Sequence, residues 1–315
     1  MARFAARRLA QAVAAIVITT MLTYYGLFVM HDPFATNNGR VVPPEIKAAL
    51  DAKFGMDEPL PVRYVTYLAN LVTGDLGIDF QRRREVSDLI VAALPNTVRL
   101  ALIAIMLQLV IGLVAGVIAA IHRSRFLDVL ISTSTVLLLG IPIFVLAVVL
   151  RSELAGLTVF GVEVFPGVPL RFTTEVPWFK EVALPAVTLA VGEVAVIARI
   201  ARAAMLDVLT ADFLRTARAK GVAEWRVVFH HGLRNALIPV VHLVGIGLGT
   251  TLGGAFLVEE VFEYPGLGYL FFRSIGEKND PVVMAITVYA TITFVLLSAL
   301  ADLVSAYLDP RIRIQ

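Results

Sequence analysis

Four places in this sequence carry side chains able to do chemistry: the adjacent pair His230-His231, the acidic pair Glu259-Glu260, a solitary Glu193 inside an apolar run, and the basic segment Arg215 to Lys220. Successive histidines fall on different helix faces and no His-Glu-x2-His pattern accompanies them, so they do not read as a zinc site. Glu259 and Glu260 have the composition of an acid/base pair, but an acidic stretch beside an apolar run predicts a solvated face. No Gly-x4-Gly-Lys-Ser/Thr loop occurs and no Gly-Lys dipeptide exists anywhere, so the chain is not expected to hold ATP in a phosphate loop. With no cysteine there is no disulfide, thiolate metal site or thiol nucleophile. The reading is of a chain with no catalytic residue, no metal and no cofactor of its own.

Glu193 is the more informative charge. It lies about ten residues into an apolar run, where a charged group costs several kcal/mol unless it faces protein or water. Two expectations follow: it lines a hydrated path, where it could meet a substrate's amino group, or it pairs with a nearby Arg or a group of a neighbouring subunit. Pro142, in Gly140-Ile-Pro142, either kinks its helix or lines the same path. Arg199 and Arg202 are expected to snorkel to an interface.

The elements that must position these groups are membrane spans. A 315-residue chain with 58% hydrophobic residues, 17% charged and a mean hydropathy of +0.81 is no soluble globule. A net charge of +2 gives no reason to invoke nucleic acid. Six apolar runs are expected to cross the bilayer, over about 9–29, 97–121, 129–150, 183–206, 239–257 and 282–308. Gly112 and Gly116 permit close helix approach in the second, and Gly245, Gly249 and Gly253 form a stripe in the fifth expected to sit against another helix. Basic residues gather at both ends and in the loops after the second and fourth runs. Acids dominate the loop from Val258 to Pro281, so both termini are expected in the cytoplasm. The intervening polar stretch predicts helices over 46–54 and 62–72, with a turn at Gly74-Asp-Leu-Gly77, and Gly156 to Pro169 alternates like a small hairpin. The domain reading is a first span over 1–30, an extracytoplasmic loop with short helices over 31–96, and a core over 97–315.

Within that core the polar insert of about 207–238 reads as two short helices. Arg215 to Lys220 is rich in helix formers and stops at Gly221, suited to a left-handed C′ position. In the second, Trp225, Val228, Phe229, Leu233, Ala236 and Leu237 recur at helical spacing and are expected to pack, while Arg226, His230, Arg234 and Asn235 fall largely on the other side.

Ala217-x3-Gly221 followed by an amphipathic helix resembles the cytoplasmic "EAA" loop of ABC importer permeases, although Arg215 and Thr216 stand where that loop has Glu and Ala. Arg-Thr-Ala-Arg-Ala-Lys-Gly221 with Leu233-Arg-Asn-Ala-Leu-Ile-Pro239 looks like the B-type subunit of the oligopeptide/dipeptide/nickel permease family. Phe54-Gly-Met-Asp-Glu-Pro-Leu-Pro61, Gly74-Asp-Leu-Gly77, Val258-Glu-Glu-Val-Phe-Glu-Tyr-Pro-Gly-Leu-Gly268 and the end Asp309-Pro-Arg-Ile-Arg313 extend the resemblance over nearly the whole chain.

The resemblance implies an all-α, six-span, type I importer permease fold in a bacterial cytoplasmic membrane. It implies a second homologous permease, one or two ABC ATPase subunits carrying the ATP and Mg, and an extracytoplasmic substrate-binding protein. Asp212, Arg215, Thr216, Ala217, Lys220, Gly221 and Trp225 would meet the ATPase. Glu259, Glu260, Tyr264 and Tyr269 would face the binding protein. Peptides are the implied substrate class. An ion-coupled secondary transporter is the alternative, although no convincing repeat relates the two halves of the sequence.

Overall fold

A computed structural model describes residues 2–30, 36–37, 40–41, 58–79, 82, 84–159, 162–167 and 177–308. It divides into two compact units, Met1–Pro95 with Tyr269–Leu296, and Asn96–Gly268 with Leu297–Gln315.

The first unit holds α1 (Ala2–Met30), the short pair β1 (Thr36–Asn37) and β2 (Arg40–Val41), and α2 (Leu60–Thr73). Pro61 supplies a helical φ in the first turn of α2. Gly74, at φ 85°, ends the helix in the left-handed region with its N–H turned back to Asn70 and Leu71. Tyr64, Tyr67 and Leu71 of α2 pack on Tyr24 of α1 and on Met284 and Val288 of α11 (Asp280–Leu308). A second hairpin, β3 (Ile78–Asp79) with β4 (Arg84–Glu85), is held by a charge network that the basic run Arg82 to Arg84 did not reveal. Asp79 is fully buried, and it accepts hydrogen bonds from Arg82 at 2.8 Å and from Asn279 Nδ2 at 2.6 Å. Arg82 also reaches Glu277, which in turn pairs with Arg273, each at 2.8 Å. Helix 46–54 lies outside the described residues.

The second unit is built on long helices. α3 (Val86–Ile121) carries Pro95 within it and delivers Asn96 onward to this unit. α4 (Phe126–Leu139) and α5 (Ile143–Leu154) follow, then the hairpin β5 (Thr158–Val159) with β6 (Val162–Glu163), in the stretch where alternation predicts one. α6 (Trp178–Leu209) crosses the centre. Gly112 and Gly116 work as expected: a Cβ at Gly112 would stand 2.8 Å from Ile197 Cβ, and one at Gly116 would stand 2.5 Å from the Ala198 carbonyl. Leu100 and Ala104 of α3, Ala147 of α5, Leu184, Ala186 and Leu189 of α6, and Ala255, Val258 and Phe262 further on form the main core.

Two expectations about the spans are corrected, and the kink expected at Pro142 proves to be a full break. The run 129–150 is not one straight helix. It breaks at Gly140-Ile-Pro142 and α4 and α5 meet at 103°, because Pro142 lacks an N–H and caps a new helix instead of continuing the old one. The run 239–257 belongs to a helix beginning well before it and continuing to Phe262, with Pro239 inside. Among the described residues a Cβ at Gly253 would have nothing within 4 Å; the close approach is made by Gly254, whose Cβ would meet Leu189 at 3.1 Å and Ile143 at 3.4 Å. Among the described residues five helices are long and apolar enough to cross a membrane, or six if the bent pair is one span.

Candidate functional site

The polar insert leaves α6 at Thr210 and forms α7 (Asp212–Ala219). α7 is anchored by one residue. Leu214 is fully buried beside Met205 of α6 and Gly232, where a Cβ would come within 3.1 Å of Met205 and 3.7 Å of Leu214. The helix ends as its sequence requires: Lys220 N–H returns to Thr216, Gly221 N–H to Arg218 and Val222 N–H to Ala217, with Gly221 at φ 76°. Arg218 holds the returning chain through both carboxylate oxygens of Glu224, at 2.9 and 3.1 Å, and through the Leu209 carbonyl at 3.3 Å. Both side chains are substantially exposed, so the pair sets geometry more than stability, about 1 kcal/mol at most.

The chain then forms α8 (Glu224–Arg226), a π-helix over Val227–Gly232 and α9 (Leu233–Phe262). The π-turn corrects the expected helical register. Positions five apart stand about 140° apart around an α-helix, but an i→i+5 turn brings them to nearly one side. Val227, Val228 and Gly232 are therefore buried together, and Trp225 and Phe229 turn outward, 61% and 54% exposed. Trp225 is not part of a packed face; it lies open with Arg226 stacked 5.1 Å above its ring.

The result is a surface rather than a pocket. Phe213, Trp225 and Phe229 are large exposed apolar groups set among exposed Asp212, Arg215, Thr216 and Lys220, while Ala217 is half-buried. Among the described residues a Cβ at Gly221 would have nothing within 4 Å. Exposed aromatic groups ringed by charge, on a polypeptide without a phosphate loop, suit contact with another protein. Next to the insert, Arg202 does not snorkel. It forms a bidentate pair with Asp128 of α4, at 2.5 and 2.8 Å; Asp128 also accepts from the Ser124 N–H and tethers α4 to α6.

Glu193 is half-buried near the middle of α6. It accepts a hydrogen bond from Thr250 Oγ1 of α9 at 3.3 Å, and Gly247 leaves room beside its carboxylate. Among the described residues no cation lies within ion-pairing distance, and the expected Arg pairing is not seen there. Thr250 and His242 are exposed on the same helix, and Gly192 has open space at its Cα. The exposed side chains of α3 are different in kind: Val98, Leu102, Met106, Val110 and Val114, one every helical turn. Pro142 stands at the α4–α5 break, as the N-cap of α5.

Burial separates the acidic residues expected on an outer face. Glu259 is fully buried, not solvated, because Gly268 N–H donates to its carboxylate at 2.6 Å and Gly266 is stacked on it. Tyr264 is 1% exposed; burial pushes its hydroxyl up to about 12, with Arg99 opposing. Those two side chains hold the corner between α9 and α10 (Leu267–Gly276) and present no surface. Thr97 and Asn96 complete it, accepting from Leu267 N–H at 2.8 Å and donating to the Pro265 carbonyl at 2.9 Å respectively. Glu260 and Tyr269 are half-buried and remain reachable.

Residues 112–314 match the family model described as "Binding-protein-dependent transport system inner membrane component", and residues 1–101 match its N-terminal counterpart. The "Dipeptide transport system permease protein DppB" of Bacillus subtilis is 35% identical, over 100% of this chain and 99% of its own length. The "Oligopeptide transport system permease protein AppB" of the same organism is 40% identical over 82% of this chain and 83% of its own. The "Glutathione transport system permease protein GsiC" of Escherichia coli K12 is 34% identical over 99% of each.

Proposed function

Because the chain belongs to the family of binding-protein-dependent transport system inner membrane components, a family of ABC importer permeases, we propose that it forms half of a peptide translocation path in a bacterial inner membrane. The ion-coupled alternative falls with that membership. Six spans with both termini cytoplasmic, the type I permease fold and a second homologous permease complete the reading. One or two ATPase subunits hold the ATP and Mg, and an extracytoplasmic binding protein delivers substrate. Di- or oligopeptides are the proposed cargo, in keeping with the names of the relatives.

The observation that carries this reading is the surface of the polar insert: exposed Phe213, Trp225 and Phe229 around a left-handed Gly221, on a helix pinned to α6 by Leu214. A push on α7 reaches Met205 and Gly232 without an intervening flexible link. ATPase closure would be felt at Asp212, Arg215, Thr216, Ala217, Lys220, Gly221 and Trp225 and would swing α6 and α9 between inward-open and outward-open arrangements. Glu260 and Tyr269 are retained as contacts for the binding protein. Extraction of the tagged chain from its own membrane in mild detergent is expected to recover a second permease and P-loop ATPases. Recovery of the chain alone, from a preparation that preserves other complexes, contradicts the reading.

Glu193, Thr250 and Gly247 form the polar wall of the proposed path. Glu193→Gln is expected to leave assembly intact and to lower peptide uptake about tenfold, a loss of about 1.4 kcal/mol. Unchanged initial rates of uptake in vesicles would remove Glu193 from the path.

A further inference from the structure

A cavity of about 660 Å³ opens beside α5, lined by Phe144, Val148, Arg151, Ser152 and Ala155 together with Glu260, and by no residue of the insert nor by Glu193. Phe144, Val148, Ser152 and Ala155 succeed one another at helical spacing, so they form one stripe. Its chemistry changes along its length. The Phe144 and Val148 end is apolar and 53% and 44% exposed, and about 12 Å further along the helix axis it becomes Ser152 beside Arg151.

The polar end is charged in a particular way. Arg151 donates to the Val261 carbonyl and to Glu263 Oε1, the latter at 2.8 Å. A guanidinium has five N–H donors, and this side chain is 34% exposed, so further donors reach the cavity. Glu260 contributes the opposite charge: its Oε2 is buried without a hydrogen-bond partner, a costly condition for a carboxylate oxygen. A hydrogen-bond donor is what that oxygen lacks.

We propose that this cavity binds the headgroup of an aminophospholipid, with its phosphate against Arg151, its ammonium against Glu260 and an acyl chain along Val148 and Phe144. The apolar-to-polar gradient of the stripe has the order of such an amphiphile, and Val145 and Val149, 46% and 48% exposed, widen its apolar flank. A zwitterionic peptide carries the same two charges; it has no counterpart for the Phe144 end. The site shares Glu260 with the face proposed for the binding protein, but it requires only that the chain spans a membrane, so it stands or falls apart from the coupling surface.

The chain contains no cysteine, which makes a single introduced thiol specific. Ser152→Cys, and Ala155→Cys as a second reporter, are placed in the assembled complex in nanodiscs of phosphatidylglycerol with and without phosphatidylethanolamine. Labelling by a water-soluble maleimide is followed by mass spectrometry of the tagged peptide. Phosphatidylethanolamine is expected to slow labelling about tenfold, the protection given by a ligand at about ten times its dissociation constant. Glu260→Gln is expected to restore the rate. Equal rates in the two lipids overturn the proposal. So does slowing by a soluble dipeptide in discs lacking phosphatidylethanolamine, which would make the cavity a substrate site.

Discussion

Replacement of Gly221 by leucine is expected to abolish ATP-driven uptake while the chain still reaches the membrane in normal amount. Two effects add. At φ 76° an L-residue costs about 1–2 kcal/mol, because its Cβ crowds the neighbouring carbonyl. That alone would weaken the end of α7 without erasing it, since Thr216, Ala217 and Arg218 still accept the closing bonds. The second effect lies outside the chain: a Cβ here meets nothing within 4 Å, so a leucine side chain projects into whatever docks on this surface. Asparagine isolates the second effect, because it tolerates the left-handed region but still adds bulk. If uptake and ATPase stimulation fail in both variants, the loss lies in the contact; if only leucine fails, it lies in the backbone or in size. Full uptake by the leucine variant sinks the docking role.

Gly268→Ala is expected to do more damage to folding than any surface change. Its Cβ would stand 2.3 Å from Phe256 Cα and within 2.8 Å of that residue's carbonyl carbon and oxygen. Those are backbone atoms of α9, and a packed backbone cannot swing aside as a side chain would. The displacement would also draw the Gly268 N–H away from Glu259, leaving part of a fully buried carboxylate unsatisfied. A loss above about 4 kcal/mol is anticipated, enough to remove most of a typical margin of stability. The complex should then fail to accumulate or should melt early in detergent. Gly276→Ala, where nothing lies within 4 Å, is the matched control and should behave as wild type. Normal accumulation and melting of Gly268→Ala would show that the corner can open.

The helices themselves were largely legible, because a membrane imposes apolar runs of fixed length and the insert's Gly221 announced a helix end. What escaped reading depends on partners far away in sequence. Asp128 and Arg202 are 74 residues apart, and nothing near Arg202 distinguishes a tether from a snorkelling side chain. Glu259 looked solvated because its neighbours are acidic; the atoms that enclose it belong to glycines seven and nine residues on, after a turn whose left-handed Glu263 is not a residue type that signals one. Gly140-Ile-Pro142 pointed to a bend but not to 103°. Trp225 was misplaced because helical periodicity was assumed where one extra residue per turn had been inserted.

That insertion acts as a phase shifter. In an uninterrupted α-helix, the azimuth of Trp225 and Phe229 would be dictated by whichever residues of α9 must face the core, such as Ala236 and Val240. The π-turn at Val227–Gly232 breaks that dictation. The two ends of one rod can therefore be aimed independently, the exposed aromatics of the insert one way and the core-facing residues of α9 another, although no loop intervenes between them.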